Sequence, residues 1–256
     1  MIVTVSFLHL LMGTVYTSYG VLTAIDLKRG WRTFGFSHFG VAWITMAFTC
    51  GPHHLDHGLH VALGSGARGL DAAAVIFGVP AGLTWFLLRL EAFNGGRGDR
   101  IITGTPRWLR VAPWLVGAVL GVLAVWMASE LRGELHFSVL LVPNVLLAFL
   151  YGQIGYYLVR TQLANHRLSG EWSVSGLSLF VVFPTCAAMH LAHIVYATTG
   201  AYTIDQHGTI IDWLSVPATL YFLWVVRSLY LGAIQDWNGR PRLASGVGVA
   251  SSAGAR

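Results

Sequence analysis

The chain has 256 residues, of which 55% are hydrophobic and only 11% charged, whereas soluble domains run at roughly 45–50% apolar and 25% charged. That composition excludes an ordinary soluble domain and predicts an all-α integral membrane protein in contact with the lipid bilayer. The net charge of +5 does not argue for a nucleic-acid partner, because the basic residues gather in one set of loops between apolar segments, as membrane topology requires.

Apolar stretches near the 20 residues that cross a hydrocarbon core cover 2–25, 40–63, 72–90, 111–128, 137–159, 176–199 and 210–234. The first lacks a basic start and a small-residue cleavage site, so it reads as a retained span rather than a signal peptide. Lys28, Arg29 and Arg32 follow it; Arg89, Arg97, Arg100, Arg107 and Arg110 border the third and fourth; Arg160 and Arg167 follow the fifth; Arg227, Arg240, Arg242 and Arg256 end the chain. Only Arg68 and Arg132 fall on the other side. The positive-inside bias therefore predicts seven spans with the N-terminus outside and the C-terminus cytoplasmic. The Arg-rich, Lys-poor composition suggests a bacterium, hence its inner (plasma) membrane. Residues 236–256, small and weakly polar, read as a disordered cytoplasmic tail.

Sliding the chain by 136 residues lays "SHFGVAWITMAFTCGPHHLDHGLHVALG" over "SVSGLSLFVVFPTCAAMHLAHIVYATTG". Both contain T-C-x3-H-L-x-H, which pairs Thr49, Cys50, His54 and His57 with Thr185, Cys186, His190 and His193. "VPAGL" from Val79 matches "VPATL" from Val216, and Tyr16 and Gly20 match Tyr151 and Gly155. The expected organisation is a three-helix repeat over 1–92, a linker helix over 93–135 and a second three-helix repeat over 136–235, with both copies running the same way through the membrane. In this order of spans the chain resembles the SWEET sugar transporters, a resemblance that implies transport about a site near the midplane and assigns no residues. A microbial-rhodopsin reading is excluded, because the one lysine, Lys28, lies in a loop and not in the last span.

The stretch "TCGPHHLDHGLH" places His53, His54, His57, His60 and Asp56 in one span. Ionisable side chains are costly in hydrocarbon and mark function there. At 100° per residue, Cys50, His53, Asp56, His57 and His60 share an arc of about 120°, and Cys186, His190 and His193 one of about 100°. Pro52 is expected to kink this span or to start a new segment. Counting from the middle of span 6 at 1.5 Å per residue puts His190 and His193 roughly 4–8 Å outside the midplane, with His54 and His57 at similar depth by the repeat. Two H-x-x-H pairs facing one another offer four imidazole nitrogens, a donor set for copper, iron or zinc. Asp56 or Asp212 could ligate or fix a ring tautomer, and the thiols of Cys50 and Cys186 would complete a softer copper site. "HHLDH" read backwards resembles the H-x-x-H-H boxes of membrane desaturases and hydroxylases. His9, His38, His136, His166 and His207 read as single interfacial residues, and Gly13, Gly20, Gly117 and Gly121 as points of close helix packing.

The expectation is thus a multi-pass metalloprotein, redox-active, with a His-ligated copper or iron centre between spans 2 and 6, acting on an apolar substrate or a quinone. Three alternatives share the histidines: a transporter of metal ions or protons, a b-type haem held by one His from each of spans 2 and 6, and an accessory subunit alongside other membrane subunits.

Overall fold

The computed structural model describes residues 2–64, 68–133, 135–203, 206–234 and 236, with the side chains of residues 206 and 207 left out. The expected tail beyond Asp236 and the side chain of His207 lie outside the described residues. The chain is helical: α1 (Ile2–Phe34), α2 (His38–Ala62), α3 (Gly69–Phe93), α4 (Arg107–Glu130), α5 (Val142–Ser169), α6 (Val174–Thr198) and α7 (Gln206–Tyr230). Two short strands, β1 (Ile101–Thr103) and β2 (Glu171–Ser173), pair antiparallel with Ile102 opposite Trp172. They tie the connection after α3 to the start of α6, and three-residue strands carry too little pattern to be read from sequence.

Among the described residues, six helices are long and apolar enough to cross a membrane. The one left out is α2, which has the length at 25 residues but carries His53, His54, Asp56, His57 and His60 in its second half. Polar groups lower its mean hydropathy, and the packing turns several of them inward.

The helix starts follow local chemistry. Ser37 caps α2 by accepting from the Gly40 amide at 2.9 Å, and Ser173 caps α6 by accepting from the Gly176 amide at 3.0 Å, each satisfying a donor that has no partner within the helix. Helix α2 runs unbroken through Pro52, so no new segment starts there.

Helix α1 packs along α2 and α3, and α5 along α6 and α7, while α3 lies on α6 and α7 on α2. The six therefore close into a ring in the order α1, α2, α7, α5, α6, α3. Helix α4 stands outside the ring and buries no residue. Gly117 and Gly121, expected at packing contacts, have open space around them on this helix. Its C-terminal half leans on the ring, where Trp126 sits against Gly69.

One close approach positions the site. A Cβ on Gly51 would collide with Thr17, and one on Gly13 would lie 2.8 Å from the Gly51 carbonyl oxygen. Glycine at both positions lets α1 and α2 touch backbone to backbone. Two turns further on, the Ser6 hydroxyl donates to the Gly58 carbonyl at 2.8 Å, and His9 lies between, against the histidines of α2.

Candidate metal centre

At the end of the bundle where α1, α3, α5 and α7 begin and α2 and α6 finish, two clusters of histidine and carboxylate form side by side. In the first, His9, His57 and Asp71 each offer a ligand atom, and the three atoms lie within 4.8 Å of one another. His57 Nε2 is 2.9 Å from Asp71 Oδ2 and His9 Nε2 is 3.5 Å from Asp71 Oδ1. In the second, His53, His190 and Asp212 offer three atoms within the same 4.8 Å limit, with His53 Nδ1 3.0 Å from Asp212 Oδ1. Ligands at about 2.1 Å from a common ion stand roughly 3–3.5 Å apart, so either group could hold a metal with small adjustments.

Neutral partners hold both groups in place. His9 and His54 share a hydrogen bond between their Nδ1 atoms at 3.1 Å, one ring donating and the other accepting. Asn144 does the equivalent task in the second group: its amide nitrogen donates to Asp212 Oδ2 at 2.6 Å, while its oxygen accepts from His190 Nδ1 at 2.7 Å. This leaves Nε2 of His9 and of His190 on the side of each ring away from the neutral partner, the arrangement common around metal-bound histidine.

Hydrogen bonding is incomplete at one atom of each group. His9 Nε2 and Asp212 Oδ1 are buried and make no well-aligned hydrogen bond among the described residues, their nearest partners being Asp71 Oδ1 at 3.5 Å and His53 Nδ1 at 3.0 Å. A buried polar atom left unpaired costs about 1–3 kcal/mol, and such atoms in folded proteins call for an explanation. Each orphan here is a ligand-type atom directed at its own group, with His9 fully buried.

Both groups reach one cavity of about 320 Å³, which His53, His57, Asp71, His190, His193 and Asp212 all border. His60 and Asp56 border it as well and pair with each other at 3.3 Å. Tyr202 closes one side, where its hydroxyl accepts from the Arg68 amide at 3.0 Å and burial pushes its phenol pKa up.

The sequence-derived set is therefore split by the fold. His53, His57 and His190 enter the two groups; His193 borders the cavity; His54 turns away to support His9. Cys50 and Cys186 lie deeper. Cys50 Sγ is 3.0 Å from the Tyr151 hydroxyl, and Cys186 borders a small void with Tyr16. The rings of Tyr16 and Tyr151 lie against His54 and His190, with centroids 5.3 and 5.4 Å apart respectively, and both thiols border a void of about 10 Å³ together with His53 and His190. Of the single histidines, His38 meets Tyr221 and His166 meets Thr105, both at 3.1 Å, while the His136 amide donates to Thr198.

Two members were missed by sequence reasoning. Asp71 sits in the first turn of α3, one residue outside the apolar stretch that begins at 72. His9 had a usable signal: extending the Tyr16–Tyr151 and Gly20–Gly155 register back aligns it with Asn144, and the two hydrogen-bond the first histidine of the first and second H-L-x-H respectively. Comparisons of the chain with protein families, with curated proteins and with solved structures found no match.

Proposed function

We propose that this multi-pass helical membrane protein is a redox metalloprotein binding two metal ions, one at His9, His57 and Asp71 and one at His53, His190 and Asp212. The observation that carries the reading is the convergence of two imidazoles and a carboxylate in each of two groups, their ligand atoms within 4.8 Å of one another. An ion in each group would give His9 Nε2 and Asp212 Oδ1 a closer partner than the 3.5 and 3.0 Å contacts they make with Asp71 and His53.

The donor chemistry favours iron over copper. Each group joins two imidazoles to a carboxylate, the set typical of non-haem iron, and neither group includes a thiol. Iron held in this way would supply one-electron chemistry. The protein's own residues then have separate tasks: Asn144 and His54 fix ring orientation, and the cavity beside His193 has room for a small substrate. Haem is disfavoured, because His54 and His190 are both hydrogen-bonded and the void they share with Cys50, Tyr151 and Cys186 is only about 10 Å³.

The reading includes seven spans, with α2 crossing beside the six apolar helices because its histidines face inward, and a 3+1+3 duplication about an axis along the membrane normal. Matched neighbours support the duplication: α1–α2 and α5–α6, α1–α3 and α5–α7, α3–α6 and α7–α2. The loop arginines support an outside N-terminus, which puts the centre in the outer half of a bacterial plasma membrane. Exchange of α3 and α7 between the halves also favours a transporter as second reading. Against it, the core below the histidines contains voids of only about 10 Å³, so a path would require the halves to separate.

X-ray absorption of the iron-loaded protein tests the donor set. A shell of nitrogen and oxygen alone is expected, and a sulfur neighbour would overturn it.

A further inference from the structure

One face of α5 changes character along its length. Phe149, Gly152, Tyr156, Arg160, Leu163 and Arg167 are all exposed, and at 100° per residue they share an arc of about 80°. The face is apolar or aromatic for two turns and becomes basic at the end of the bundle opposite the metal groups. On a helix long and apolar enough to cross a membrane, such a face meets lipid tails first and headgroups last.

A pocket of about 260 Å³ opens at the basic end between α5 and α7. Arg160, Leu163, Ala164, Arg167 and Tyr230 line it, and among the described residues no carboxylate does. Neither arginine pairs with a carboxylate among the described residues, unlike Arg89 and Arg100, which bind Asp26 and Glu91. The pocket therefore keeps two positive charges.

Neutral oxygens hold Arg160 in place. Its Nε and Nη2 donate to the Tyr230 hydroxyl at 3.2 and 2.9 Å, and its Nη1 donates to the Tyr156 hydroxyl at 3.1 Å. The guanidinium carbon lies 5.6 Å from the Tyr230 ring centre and 5.7 Å from that of Tyr156. A guanidinium has five N–H donors, so Nη1 and Nη2 each keep one. Two such donors on an oriented fork suit the oxygens of a phosphate, and Arg160 is exposed to receive one. A phosphodiester neutralises only one of the two arginines. The remaining charge disfavours a headgroup that carries a cation of its own.

We infer that this pocket binds the phosphate of an anionic phospholipid, with Arg160 as its anchor, Arg167 selecting against cationic headgroups, and the acyl chains along Phe149, Gly152 and Tyr156. Inorganic phosphate would meet the same donors and gain nothing from the apolar face. The claim stands independently of the metal reading.

The test is native mass spectrometry of the full-length protein, delipidated in neutral detergent and titrated with phosphatidylglycerol. Saturable binding of one lipid per chain is expected, tighter than that of phosphatidylcholine. Arg160→Gln should weaken it about tenfold or more, as loss of hydrogen bonds from a charged donor implies. Arg107→Gln, which removes an exposed arginine of α4 outside the pocket, should leave the affinity unchanged. Equal affinity for phosphatidylcholine would overturn the inference, as would equal effects of Arg160→Gln and Arg107→Gln or displacement of the lipid by inorganic phosphate at matched concentration. Metal content of the same samples should not change, so any of these results would leave the metal reading standing.

Discussion

The two clusters differ in where their residues come from. His9, His57 and Asp71 lie on α1, α2 and α3, all within the first half of the chain. His53, His190 and Asp212 lie on α2, α6 and α7, so the second cluster forms only where the halves meet. Under the duplication, His9 corresponds to Asn144, and neither Asp71 nor Asp212 has an acidic counterpart in the register set by the two V-P-A motifs. A scaffold with matched helices thus carries an unmatched site. The lesson is that the two H-L-x-H pairs offer similar rings, and single residues elsewhere decide which ring joins a histidine–carboxylate group and which supports a neighbour.

Removing a carboxylate should break the comparison most sharply. Asp212→Ala leaves His53 and Asn144 without their shared partner, so metal at the second group should be lost outright, and stability should fall by about 1–3 kcal/mol. Asp71→Ala should empty the first group with less effect on contact between the halves. Metal stoichiometry and thermal unfolding of both variants separate these effects. Next comes Asn144→Ala, which loosens two ligands at once. Metal affinity at the second group should drop roughly 10- to 100-fold with the first group unchanged, seen as a shift of one phase in a two-phase metal titration. His54→Ala should have a smaller effect, about tenfold at the first group alone, because His54 holds only His9. Smallest is Cys50→Ser. It should leave metal content unaltered and change stability by less than about 1.5 kcal/mol, and metal loss in this variant would return the thiols to the ligand set.

Much of the helical framework was legible because crossing a bilayer demands long apolar runs. The stretch 176–199 became α6 (Val174–Thr198) with little shift, and the serines that start α2 and α6 lie in the aligned segments. The ends were less visible: α1 continues through Lys28, Arg29 and Arg32 to Phe34, because long basic side chains extend to the interface while the backbone stays helical. The histidines of α2 and α6 were legible as a duplicated motif. Their division into two groups was not, since the arc shared by Cys50, His53 and His57 is a property of one helix, whereas the cluster each residue joins depends on α1, α3 and α7. Asp71 escaped as a charge beside an apolar stretch, and His9 as an isolated histidine whose counterpart is an asparagine.

The most direct test is the metal content of purified, iron-reconstituted protein, measured for the wild type and for the Asp71→Asn, Asp212→Asn double variant. Two equivalents of iron per chain in the wild type and none in the folded double variant are expected. A wild type that retains no stoichiometric metal, or a double variant that keeps its full complement, would contradict the account.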